Sequence, residues 1–134
     1  MGNKCLYCYE RMESTDLLTT AAEEDYHPKC IRKFYGKANP PILDFTEAQI
    51  LQFAELIIKS QKTVTGVQPK LSLTLSAKNE TSERFTIVGL MGEYILKPQT
   101  ELYSNLFEIE DLTMHLAEIS KINTVKHTLI KLKS

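Results

Sequence analysis

All three cysteines of the chain fall within its first 30 residues, and with one of its three histidines they form two pairs of similar spacing. Cys5 and Cys8 make a C-x2-C pair in CLYC, His27 and Cys30 make an H-x2-C pair in HPKC, and 18 residues separate Cys8 from His27. Two residues between donors let both side chains of a tight turn converge on one ion at about 2.0–2.3 Å, and four soft or borderline donors complete a tetrahedral zinc shell with no open position. The spacing therefore predicts a structural zinc site on Cys5, Cys8, His27 and Cys30. The alternatives are three reduced thiols beside a surface histidine, or a redox-active C-x2-C, which would normally sit at a strand-to-helix junction not evident here. A filled zinc shell would also supply folding free energy that about 37 mostly polar residues cannot get from burial.

A second group of residues has the chemistry to handle phosphate. The stretch TVTGVQPK, residues 63–70, carries a single glycine and matches neither the Walker pattern nor G-x-G-x-x-G, so by itself it is a weak phosphate signal. Lys97 follows near the end of a predicted strand, and Glu110 lies in the first turns of a predicted helix. A kinase small lobe uses this order: a loop over the phosphates, a strand lysine on the α and β phosphates, and a helix glutamate that holds the lysine. The plain alternatives are a connecting loop, a solvated lysine and a helix-surface acid.

These residues need elements to hold them. Residues 1–37 form a polar segment ending near Gly36, with Cys30 opening a short helix in CIRKFYG, an arrangement like a treble-clef zinc module. The ANPP run places a stiff linker over residues 38–44, because consecutive prolines favour extended backbone and restrict the residue before them. The remainder, residues 45–134, reads as one α+β domain. Thr46 and Gln49 make a capping box with Phe45 and Ile50 at the staple positions, and Ile50, Phe53, Ala54, Ile57 and Ile58 follow with the spacing of one buried helix face. Leu71, Leu73 and Leu75 alternate with Ser72, Thr74 and Ser76 as in a half-buried strand. RFTIVG and EYILKP read as two more strands and suggest an antiparallel meander. Asn105 with Glu108 predicts the cap of a helix through Ile119, with an apolar face of Leu106, Ile109, Leu112, Leu116 and Ile119. TVKHTLIKLK reads as a closing strand. The expected fold class is α+β, an antiparallel sheet with packed helices, preceded by the zinc module.

Three ordered motifs, TVTGVQPKLSL, YILKPQTELYSNL and EIEDLTMHLAE, together resemble the amino-terminal lobe of HipA-like serine/threonine kinases, the toxins of bacterial toxin–antitoxin systems. The resemblance runs from about residue 60 to 132, and CLYCYE with YHPKC and the proline linker resembles a short zinc-bearing extension of some members. It implies a kinase small-lobe fold in which Thr65, Gly66, Val67, Gln68, Pro69 and Lys70 form the phosphate-facing loop. It further implies that Lys97 binds the nucleotide phosphates and that Glu110 pairs with Lys97. Thr63 would stand where the family carries a serine phosphorylated by the kinase itself, with Thr65 as a second candidate. The family often has asparagine just before the glutamate, where this chain has Ile109. ATP and magnesium would be ligands of the complete kinase. The implied partners are a catalytic lobe, on the same or a separate chain, and a HipB-like DNA-binding antitoxin.

Phosphoryl transfer also needs a base to orient the nucleophile and carboxylates for magnesium, which kinases carry on a second, mainly helical lobe. The chain has two residues after Leu132 and no such motifs, so no catalytic residue is assigned and no appreciable kinase activity is expected from it alone. Two readings follow: part of a larger kinase, or a stand-alone regulatory protein that docks on a separate kinase lobe or antitoxin. A third, a zinc-dependent nucleic-acid-binding module, is disfavoured by charge. The 134-residue chain carries a formal charge of −1, and residues 1–37 hold six basic and six acidic residues, so phosphate attraction is missing. His115 and His127 belong to no recognisable pattern and read as surface or packing residues. Without an apolar run near membrane-span length or a signal-peptide core, a cytoplasmic protein is expected, with no membrane partner.

Overall fold

In a computed structural model, the structure of the protein describes residues 4–12, 25–60, 69–79, 82–88, 92–101 and 103–134. They contain three helices, α1 (Pro28–Tyr35), α2 (Glu47–Ser60) and α3 (Leu106–Ile119), and three strands, β1 (Leu71–Asn79), β2 (Ser82–Val88) and β3 (Tyr94–Leu96). The fold class is α+β with an antiparallel sheet, as the sequence indicates. No helix among the described residues is long and apolar enough to cross a membrane. The chain divides into two units, one of Met1–Ile42 with Glu110–Ile130 and the other of Leu43–Ile109 with Lys131–Ser134.

The first unit is built around a tight turn and a short helix. The Cys5 amide donates to the Glu10 carbonyl at 3.0 Å, the Tyr9 amide donates to the Cys5 carbonyl at 2.9 Å, and Lys4 bridges Arg11 in antiparallel fashion. Tyr9 takes the left-handed conformation with φ 61° that such a reversal requires. Helix α1 begins after His27 with Pro28 in its first turn, where a missing N–H leaves nothing unsatisfied. It ends at Gly36, whose φ of 70° suits glycine and whose amide returns to the Arg32 carbonyl at 2.9 Å. Cys5, Met12, Tyr26, Cys30, Ile31 and Tyr35 are buried. The Tyr26 hydroxyl donates to the Leu129 carbonyl at 2.5 Å, and the Leu129 amide donates to the Leu6 carbonyl at 3.3 Å.

In the second unit the predicted capping box is present. The Thr46 amide donates to Gln49 Oε1 at 2.9 Å and the Gln49 amide donates to Thr46 Oγ1 at 3.3 Å, satisfying two donors at the start of α2. Ile50, Ala54 and Leu71 form the core, with Phe45, Ile57, Ile87, Leu96 and Leu132 packed on it. Alternation along β1 buries Leu71 and Leu73 and leaves Ser76 exposed, as a period of two demands. The strand order is β2-β1-β3, so β3 pairs with β1 and the sheet is not the meander that the sequence suggests. The register sets Leu73 opposite Ile87 on one side and Tyr94 on the other.

Three further expectations are corrected. Residues 122–132 contain no strand; Lys133 makes an isolated parallel bridge to Thr46, its amide donating to the Phe45 carbonyl at 3.0 Å. Asn105 lies at φ 57° rather than in the extended region of an N-cap. The apolar stripe of α3 is also not buried, since Ile109, Leu112, Leu116 and Ile119 are all at least half exposed.

Candidate functional site

The turn of residues 5–10 and the start of α1 bring the four predicted metal donors together. One ligand atom from each of Cys5, Cys8, His27 and Cys30 lies within 4.8 Å of every other. His27 Nδ1 stands 3.4 Å from Cys8 Sγ and 3.9 Å from Cys30 Sγ. A tetrahedral zinc with Zn–S of about 2.3 Å and Zn–N of about 2.1 Å separates nitrogen from sulfur by about 3.6 Å, between these two values. His27 precedes the first residue of α1 and makes no side-chain cap there. Its ring is engaged elsewhere: Nε2 donates to the Arg11 carbonyl at 3.1 Å, which leaves Nδ1, the nitrogen facing the sulfurs, with a free lone pair. Metal-binding histidines are oriented by just such a bond from the outer nitrogen to a backbone carbonyl.

The electrostatics favour a cation in the middle. Burial pushes the Cys5 thiol up, but the backbone amides around it outweigh burial and hold it at about 7. Burial, with the negative charge of Cys5, pushes the Cys30 thiol up to about 12, and burial raises Cys8 as well. Three thiols this close cannot all ionise on their own, whereas a dication among them removes the repulsion and takes the protons' place. The cluster can therefore hold a metal ion such as zinc, and its four donors leave no ligand position open.

Of the phosphate-facing residues, Thr63, Thr65, Gly66, Val67 and Gln68 lie outside the described residues. Pro69 is half-buried and Lys70 exposed at the entry to β1. Lys97 directly follows β3 and is half-buried, next to the buried Pro98. Glu110 sits at the fifth position of α3 and is half-buried. Lys97 belongs to the second unit and Glu110 to the first.

A curated relative supplies an outside reference. A protein of Haemophilus influenzae named "Putative kinase" is 29% identical to the chain over 118 residues. The match takes in 85% of this chain, and the chain spans 30% of that protein's length. No protein-family model matches the chain.

The sequence reading missed one constellation. Asp111, His115 and His127 offer ligand atoms that all lie within 4.8 Å of one another. Asp111 and His115 are four apart on α3, the spacing of one helix face, which is a signal the sequence does contain. His127 comes from the irregular segment beyond the helix, so no spacing rule links it to the other two.

Proposed function

We propose that the chain is the nucleotide-phosphate-binding amino-terminal lobe of a HipA-like serine/threonine kinase of a toxin–antitoxin system, acting in the cytoplasm. The observation that carries this reading is the 29% identity to a protein named a kinase over 85% of the chain, at only 30% of that protein's length. The three ordered motifs agree with it, as does an antiparallel sheet whose short third strand ends at Leu96, directly before Lys97, and is followed by helix α3 carrying Glu110. In this reading Thr65 to Lys70 face the phosphates, Lys97 binds them, Glu110 positions Lys97, and Thr63 accepts the regulatory phosphate. The metal on Cys5, Cys8, His27 and Cys30 is a structural zinc that ties the turn to α1 and takes no part in chemistry.

The partner is a catalytic lobe bringing the base and the magnesium carboxylates, with an antitoxin of the HipB type acting on the assembly. The exposed stripe of Ile109, Leu112, Leu116 and Ile119 on α3 supports a macromolecular partner, because four large apolar residues on one helix face favour burial against another surface. With the catalytic lobe present, Lys97→Ala lowers ATP affinity roughly 10–100-fold, the effect of losing one or two charge-assisted hydrogen bonds. Isothermal titration checks this, and unchanged affinity refutes the assignment.

A further inference from the structure

The first unit contains a second group of donors with the geometry of a metal site. Asp111 is only 5% exposed, yet it carries a carboxylate. The Tyr9 hydroxyl donates to its Oδ2, and His127 Nδ1 donates to its Oδ1 at 2.7 Å. His115 Nε2 lies 3.4 Å from Oδ2, is sealed from solvent and has no hydrogen-bond partner. That spacing is too long for a good hydrogen bond, but it matches the roughly 3.3–3.4 Å between ligands around a small tetrahedral cation at about 2.0–2.1 Å.

The outer nitrogens of both rings face a second carboxylate. His127 Nε2 is 3.2 Å from Glu118 Oε1, and His115 Nδ1 is 3.8 Å from Glu118 Oε2. Glu118 is itself held by Thr124, whose hydroxyl donates to Oε1 at 2.8 Å. A proton on the outer nitrogen of His115 would leave its Nε2 as a lone pair beside Asp111, and one on the outer nitrogen of His127 would let Nδ1 become a lone pair once the proton it donates to Asp111 is displaced. Metal-binding histidines are held in this way, by a carboxylate behind the ring that fixes the tautomer and raises ligand basicity. A network serving only to fasten the segment after α3 would have no use for an orphaned, buried imidazole nitrogen aimed at a buried carboxylate.

We propose that Asp111, His115 and His127 form a second metal site, binding a divalent first-row transition cation through two imidazoles and one carboxylate. Glu118 orients both histidines from behind. Entry of the cation displaces the proton between His127 Nδ1 and Asp111 to solvent and relieves the unpartnered His115 Nε2. Three protein ligands leave at least one coordination position for water or an incoming oxygen ligand, unlike the closed four-donor cluster. The site stands independently of the kinase reading.

Cobalt titration of the full chain separates the two centres, because only a thiolate centre gives an intense sulfur-to-cobalt charge-transfer band. The wild-type chain is expected to take two equivalents of Co2+, one with that band and one without. His115→Ala and His127→Ala each lose the second equivalent and keep the thiolate band, which also reports that the first unit is folded. Because Glu118 is exposed, Glu118→Gln is a mild change; it retains the second equivalent with affinity lowered roughly 10–100-fold. A wild-type chain that binds a single equivalent, or a His127→Ala chain that still binds two, overturns the proposal. If an alanine variant loses the thiolate band through misfolding, Glu118→Gln decides, and unchanged affinity there overturns it as well.

Discussion

Substituting Gly92 by alanine tests whether the strand that leads into Lys97 is held as tightly as the packing indicates. A Cβ at Gly92 would lie 2.5 Å from the Leu73 carbonyl oxygen, 2.7 Å from its nitrogen and 2.9 Å from its carbonyl carbon. An ordinary carbon–oxygen contact is about 3.3 Å, so the two backbones must separate by about 0.8 Å. Leu73 cannot recede: it is buried in the middle strand, paired with Ile87 on one side and Tyr94 on the other. The three-residue strand β3 gives way instead, and its pairs Leu71↔Leu96, Ser72↔Ile95 and Leu73↔Tyr94 loosen together. Overpacking of this kind costs about 1–3 kcal/mol, and each weakened backbone bond adds about 0.5–1.5 kcal/mol. A loss of at least about 2 kcal/mol is expected, or roughly 8 °C in Tm for a chain of this size. Urea unfolding followed by circular dichroism measures it, with amide exchange at residues 94–96 as the local readout. A variant within about 0.5 kcal/mol of wild type, with those amides still protected, would refute the steric argument.

Protein purified without added metal or chelator is expected to retain at least one zinc per chain by elemental analysis, and Cys5→Ser to lose it. Much less than one zinc in the wild type sinks the four-donor site. Tyr26→Phe removes the shorter of two bonds to the Leu129 carbonyl and leaves it only the Thr128 hydroxyl at 3.2 Å, so stability should fall by about 1 kcal/mol. Equal unfolding midpoints would show that water takes over that bond.

Some of this architecture is readable in the amino acids and some is not, for reasons that differ by element. The start of α2 is legible because its signals are local: the Thr46 and Gln49 side chains satisfy each other's backbone within one turn. The cysteine cluster is legible because metal chemistry restricts both donor type and spacing. The stretch TVKHTLIKLK reads like a strand, but its residues say nothing about whether a neighbouring edge is on offer; in the structure Lys133 finds a single bridge at Thr46. Helix α3 shows its apolar stripe in the sequence, yet periodicity cannot say what covers it. Its end is equally hard to see, because Lys121 rather than glycine adopts the left-handed conformation, at φ 61°. His127 is the clearest gap, since a residue eight positions beyond a helix meets Asp111 only through the path of the chain between them.

The order β2-β1-β3 has a consequence in time as well as in space. β1 and β2 are joined by a short connection and pair from Asn79↔Ser82 through Ser72↔Val88, a hairpin whose formation takes about 1–10 μs. β3 must close a loop of about 20 residues onto the far edge of β1 and gains only three pairs for doing so. The last strand to join is therefore the first to leave, and local opening of β3 needs far less free energy than unfolding the hairpin. The lysine proposed to hold nucleotide thus directly follows the most readily released strand of the sheet. A ligand that engages Lys97 would act as a latch, converting a strand that comes and goes into one that stays.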